Sequence, residues 1–222
     1  MKTVKERGTH RLAVLVSGRG SNLQSIIDAS ARAELDAMVA MVISNRAEAH
    51  GLSRARAAGI DAMYLRPGDY SGRDDYDRAI VKLLKDRDVG LICLAGFMRR
   101  IGEPLLEAFP NRILNIHPSL LPAFPGLDAQ RQALEHGVCV SGATVHLVAS
   151  ELDTGPIVLQ AAVPVLDADT VETLSARILI EEHRLYPEAI RLVLEGGWEL
   201  HGRRFIRPPR DGASTGQLQA GS

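Results

Sequence analysis

Three short stretches of this chain are apolar almost without interruption: R-L-A-V-L-V at 11–16, A-M-V-A-M-V-I-S at 37–44 and V-G-L-I-C-L-A at 89–95. A strand with one wet face alternates apolar and polar side chains. A strand that is apolar throughout must be covered on both faces, as inside a parallel sheet flanked by helices. Parallel strands need long crossovers, and helical segments fill the gaps. S-G-R-G-S-N at 17–22 runs into L-Q-S-I-I-D-A-S-A-R, which places Leu23, Ile26 and Ile27 on one helical face. A small-residue helix around 52–58, stopped by Gly59, follows the second run, and 61–65 reads as a short third strand. Residues 71–86 carry Tyr76, Ile80, Leu83 and Leu84 at helical spacing, and a short helix over 103–109 feeds a fifth strand. The expected fold class is α/β, a doubly wound, mostly parallel sheet.

The second half breaks this rhythm. A helix over 128–135 is closed by Gly137, and strands are expected at 138–148 and 157–165 around the turn cluster E-L-D-T-G-P at 151–156. Two strands so connected pair antiparallel across a wide loop, giving the sheet an antiparallel C-terminal portion. Residues 170–194 read as a long helix that Pro187 should kink or break. Residues 198–205 read as a small hairpin turning at Gly202. The organisation expected is a flexible N-terminal tail at 1–10, a single domain at 11–207 and a disordered tail at 208–222.

The formal net charge of −1 gives no footprint for nucleic acid or an anionic membrane. No apolar segment approaches the ~20 residues needed to span a bilayer. The opening M-K-T-V-K-E-R-G-T-H lacks a signal peptide's apolar core. Cys93 and Cys139 both lie in apolar runs and are expected as buried, reduced thiols. These features point to a cytoplasmic protein whose partners are small molecules.

Its chemistry centres on R-I-L-N-I-H-P-S-L-L-P-A-F-P-G at 112–126. Alternation along a strand points Asn115 and His117 the same way, and Pro118 ends the ladder just beyond them. An amide donor and an imidazole then sit together at the C-terminal end of a strand, where open α/β sheets hold ligands. They suit oxyanion stabilisation and proton movement; equally, they could only tie down a loop. Gly20, Ser21 and Asn22 after the first strand could hold one phosphate on backbone N–H groups, or simply cap a helix. Leu23 stands where a dinucleotide fingerprint needs a third glycine, so NAD is disfavoured. Asp153 could reach over the sheet edge and raise the pKa of His117 above its unperturbed ~6.5, or merely build its turn. His146 and His183 read as hydrogen-bonded packing residues, and Glu182 faces either ribose hydroxyls or solvent. No H-x-x-x-H or C-x-x-C occurs, Ser119 lacks a G-x-S-x-G elbow and the cysteines read as buried, so neither a metal nor a nucleophilic triad is expected.

The motifs also occur together in a known order. G-x-G-S-N, A-G-F-M-R at 95–99 and N-I-H-P-S-L-L-P at 115–122 are followed by P-G-L-D-A-x-x-Q-A-L, G-A-T-V-H and L-D-T-G-P. From about residue 12 to about 204 the chain resembles the phosphoribosylglycinamide formyltransferases, folate-dependent enzymes of purine synthesis with a Rossmann-like fold. The resemblance implies 10-formyltetrahydrofolate as co-substrate, no metal, and a monomer or homodimer. It implies a catalytic trio of Asn115, His117 and Asp153, and a ribonucleotide site of Gly20, Ser21, Asn22 and Glu182. The N-terminal half would bind the nucleotide phosphate and the C-terminal half would complete the folate site. Folate contacts fall on Arg73, Met98, Arg99, Arg100, Ile101, Asn115, Ser150, Glu151, Leu152 and Asp153. Arg100 stands where the family usually has an apolar side chain, so its direction bears on the pterin pocket. Formyl transfer to methionyl-tRNA would call for an added C-terminal domain, and hydrolysis of the formyl group for an N-terminal regulatory one. The ten residues before the expected domain and the fifteen after it are expected to supply neither. A non-catalytic nucleotide-binding module would give Asn115, His117 and Asp153 no reason to converge.

Overall fold

A computed structural model gives the chain's structure over residues 10–207, and the alternation runs through the first half of it. In order come β1 (His10–Val16), α1 (Ser21–Ala31), β2 (Ala37–Ser44), α2 (His50–Ala57), β3 (Ala62–Tyr64), α3 (Arg73–Lys85), β4 (Leu91–Leu94), α4 (Glu103–Ala108) and β5 (Ile113–His117). Then follow α5 (Ala129–Glu135), β6 (Val140–Leu147), β7 (Ile157–Pro164), α6 (Val171–Glu195), β8 (Glu199–His201) and β9 (Arg204–Ile206). They form one sheet in the order β3-β2-β1-β4-β5-β6-β7-β9-β8. Pairing is parallel from β3 through β5 and antiparallel for β5–β6 and β6–β7. β9 then meets β7 in parallel and closes an antiparallel hairpin with β8.

Alternation sorts each central strand onto two cores. Leu12, Val14 and Val16 pack with Leu23, Ile26, Leu52, Ala133 and the buried side of α6. Ala13 and Leu15 pack with Tyr76, Ile80 and Leu84 of α3 and Leu105 of α4. Helices therefore cover both faces, as the doubly wound reading requires. On β5, Leu114 and Ile116 join the first core and Ile113 the second, which puts Asn115 and His117 on the α3–α4 side. The strand order reverses at β1, with β2 on one side and β4 on the other. That reversal opens a crevice beyond the strand ends, between the loops after β1 and after β4.

Three expectations need correction. His10 opens β1 and does not belong to a tail; residues 1–9 and 208–222 lie outside the described residues. Cys93 is buried, but Cys139 is exposed just before β6, as is neighbouring Val140, which opens that strand. Pro187 does not break α6, which is continuous across it. A proline there forfeits one backbone hydrogen bond, yet Leu185, Tyr186, Ala189 and Ile190 around it are buried. The Tyr186 hydroxyl lies 3.0 Å from the Leu94 carbonyl oxygen and 3.1 Å from that of Leu114, anchoring the helix to β4 and β5. Tertiary packing thus outweighs the missing bond. Among the described residues no helix is long and apolar enough to cross a membrane.

Candidate active site

The crevice at the strand-order reversal is a cavity of about 1080 Å³. Its walls include Gly20, Ser21, Asn22, Met98, Arg99, Arg100, Ile101, Asn115, His117, Ser150, Glu151, Leu152, Asp153 and Glu182. Arg73 alone of the expected site residues is not on the wall. It opens α3 with about half its side chain exposed, its Nε 3.7 Å from Asp74.

Asn115, His117 and Asp153 do meet. His117 is buried, and its Nε2 lies 2.8 Å from the Phe124 carbonyl. A carbonyl only accepts, so Nε2 carries a proton and Nδ1 is left facing Asp153, 3.6 Å from Oδ2. Asp153 has a left-handed backbone, φ 54°, which aims its carboxylate inward, and 7% of the side chain is exposed. Its Oδ2 accepts the Gly126 N–H at 2.8 Å, joining the loop after β6 to the end of the proline-rich loop after β5.

A fourth side chain completes the cluster. His146, expected as packing, is the direct partner of Asn115 across the β5–β6 ladder. Its Nδ1 donates to the Leu147 carbonyl at 3.0 Å, so Nε2 has a free lone pair and accepts from Asn115 Nδ2 at 3.1 Å. Asp153 Oδ1 lies 3.7 Å from that same Nε2. Burial pushes the His146 pKa down, and the neutral ring keeps this accepting role. One N–H of the Asn115 amide is thereby spent, leaving the second for a ligand. The period of β6 puts His146 on the same face as Thr144, but only the register with β5 places it beside Asn115.

At the other end lies the glycine loop. Gly20 adopts φ 70°, and a Cβ there would come within 2.7 Å of Gly51 Cα on α2, so no other residue fits. α2 grips the loop by its carbonyls: Gly51 N–H donates to Gly18 O at 3.0 Å and Arg54 Nε to Arg19 O at 2.9 Å. With those carbonyls turned toward α2, the following N–H groups point the opposite way, as an anion-binding turn requires. Neither Ser21 nor Asn22 caps α1, whose N-cap is Gly20 with no side-chain bond. Asn22 instead donates through Nδ2 to Glu182 Oε2 at 2.9 Å, and its Oδ1 is buried without a partner among the described residues. Glu182 is buried rather than solvated, and burial raises its pKa. His183 also departs from expectation: its Nε2 is buried without a hydrogen bond among the described residues.

The loop after β4 forms the third wall. Ser17 Oγ accepts the Met98 N–H at 2.7 Å and donates to Asn45 Oδ1 at 2.5 Å, tying the ends of β1, β2 and β4 together. Arg99 lies 4.8 Å above the Tyr76 ring, and buried Asp77 accepts the Gly102 N–H at 2.6 Å. Arg100 is exposed at the rim, so it does not fill the pocket.

Comparison with known proteins matches residues 10–190 to the formyl transferase family. The human trifunctional purine biosynthetic protein adenosine-3 is 46% identical over 195 residues, 88% of this chain. The chain spans only about a fifth of that relative's length, 19%. Phosphoribosylglycinamide formyltransferase of Escherichia coli is 43% identical over 190 residues, which cover 86% of this chain and 90% of that one. Among solved structures, glycinamide ribonucleotide transformylase 1 from Symbiobacterium toebii superposes with a TM-score of 0.87 at 59% identity. That alignment covers 88% of this chain and 92% of the other.

Proposed function

The chain belongs to the formyl transferase family, and we propose that it moves the formyl group of 10-formyltetrahydrofolate onto the amine of glycinamide ribonucleotide. The products are formylglycinamide ribonucleotide and tetrahydrofolate, within de novo purine biosynthesis. The observation that carries the reading is the convergence of Asn115, His117 and Asp153 at one end of a cavity whose other end is a glycine loop braced by α2.

The substrate's neutral amine attacks the formyl carbon, and the carbonyl π electrons move onto oxygen. The second N–H of Asn115 and the Nδ1–H of protonated His117 stabilise that oxyanion. Because Nε2 is held by the Phe124 carbonyl, Nδ1 is the nitrogen that exchanges protons. Asp153, whose Oδ2 faces His117 Nδ1 at 3.6 Å, passes the proton lost by the amine toward the departing folate nitrogen, directly or through water. Collapse of the intermediate breaks the bond from carbon to that nitrogen, which leaves protonated.

Gly20, Ser21 and Asn22 hold the phosphate and Glu182 accepts from ribose hydroxyls. Met98, Arg99, Arg100 and Ile101, with Ser150, Glu151, Leu152 and Asp153, flank the pterin. Arg73 lies beside Gly102, its Nε 3.1 Å from where a Cβ there would stand, which suits the outer part of the folate. The test is a formylation assay with both substrates, following release of deformylated folate. His117→Ala and Asp153→Asn should each lower kcat by about 10²–10³ while changing KM little. No turnover by the unaltered chain would reject the function, and near-normal turnover by both variants would reject the roles.

A further inference from the structure

The nucleotide end of the cavity has a charge problem. Glu182 is an acid, and a phosphate monoester brings up to two more negative charges, which backbone N–H groups offset only in part. α6 contributes Leu179 and Glu182 to this wall and no basic residue. Arg99 and Arg100 belong to the loop after β4, where Arg99 is engaged by the Tyr76 ring. The remaining cations are Arg19, in the glycine loop, and Arg46, just past the end of β2.

Arg46 is built to be aimed. Its N–H donates to Ser44 Oγ at 3.0 Å, and its carbonyl accepts from the same hydroxyl at 2.9 Å. Preceding Asn45 accepts from Ser17, the first residue of the glycine loop. The backbone is therefore locked against the loop that presents the N–H groups. The side chain is exposed, and among the described residues its guanidinium has neither a carboxylate nor a carbonyl partner. Nearby Arg54 is spent on Arg19 O and Gln24.

We propose that Arg46 is the counter-charge that reads the substrate's phosphate, reaching from the end of β2 across the glycine loop. This rests on the nucleotide reading above and adds a specificity-determining residue to it. A planar guanidinium can take two phosphate oxygens at once, which an ammonium cannot.

The experiment compares glycinamide ribonucleotide with its dephosphorylated riboside as formyl acceptors for the unaltered chain, Arg46→Gln, Arg46→Lys and Arg19→Gln. Arg46→Gln should raise KM for the ribonucleotide at least about tenfold, the loss of a charge-assisted contact. Its KM for the riboside and for the folate should stay within about twofold of the starting values, and Arg46→Lys should recover part of the loss. In parallel, calorimetric titration with ribose 5-phosphate should show the same weakening without turnover. An equal KM shift for both acceptors, a shift confined to Arg19→Gln, or unchanged ribose 5-phosphate binding by Arg46→Gln would overturn the assignment. Failure of the unaltered chain to formylate either acceptor would overturn the nucleotide reading itself, which the titration distinguishes.

Discussion

Asn115 and His146 face each other across the antiparallel β5–β6 ladder, the amide nitrogen of one 3.1 Å from the ring Nε2 of the other. The contact fixes which way the Asn115 amide points and leaves its second N–H without a partner among the described residues, on the cavity wall. His146→Leu should preserve the packing volume but free the amide to rotate. We expect kcat to fall about ten- to a hundredfold, less than the loss of the donor itself, with both KM values little changed. Steady-state kinetics checks this, and a kcat within twofold of the starting value would leave His146 a packing residue.

The same pair predicts an acid dependence. Burial lowers the folded-state pKa of His146, so below the unfolded value of ~6.5 the unfolded chain takes up its proton first. This stabilisation is complete above that value and is lost as pH falls through the folded pKa. Melting temperatures recorded as pH is lowered from neutral should therefore fall less steeply for His146→Leu than for the unaltered chain.

Much of this was legible in the sequence, and the exceptions share a cause. Uninterrupted apolar runs identify β1, β2 and β4, since only burial on both faces tolerates them. Period two along β5 puts Asn115 and His117 together with no tertiary information. His146 is the buried, hydrogen-bonded residue that was expected; its pairing with Asn115 lies in the β5–β6 register, which is set across a connection that contains α5 and so escapes a local reading. The pairing of Asn22 with Glu182 spans 160 residues and depends on how α6 lies over α1. Of the kink or break allowed at Pro187 the break does not occur, because a local rule about helices omits the buried neighbours that hold both sides of the proline.

Tyr186 is one of those neighbours, and its hydroxyl bridges the carbonyls of Leu94 and Leu114, the latter immediately before Asn115. Tyr186→Phe leaves the ring in place and removes one buried hydrogen-bond donor. The expected cost is about 1–2 kcal/mol in denaturant unfolding, with kcat down a few-fold through a looser β5. An unchanged unfolding midpoint would show that the two carbonyls do not need the hydroxyl.

Asp77 plays the corresponding part for the loop after β4. Its buried carboxylate accepts the Gly102 N–H at 2.6 Å, and burial raises its pKa. Asp77→Ala strands that N–H, at a cost of about 1–3 kcal/mol. If the loop lines the folate site, KM for the folate should rise several-fold while KM for the ribonucleotide does not. A matched rise in both would mean the substitution acts on the whole fold.

Glu182 brings stability and function into opposition. Burial raises its folded-state pKa above the ordinary ~4.3, and the Asn22 donor opposes that shift only in part. A raised acid favours folding fully below the unfolded pKa, and the advantage is lost as pH rises through the folded value. Above the unfolded value, therefore, the buried carboxyl works against the fold. Glu182→Gln keeps an acceptor for the Asn22 amide and removes the charge. Its melting temperature should exceed that of the unaltered chain at pH values above the folded pKa, with the gap closing in acid. If Glu182 also accepts from the ribose hydroxyls, as proposed, they lose a charged acceptor, and KM for the ribonucleotide should rise about tenfold. A more stable, weaker-binding variant is what a residue retained for its ligand would give. A variant that is less stable at neutral pH, or that binds the ribonucleotide unchanged, would mean the carboxylate serves the fold instead.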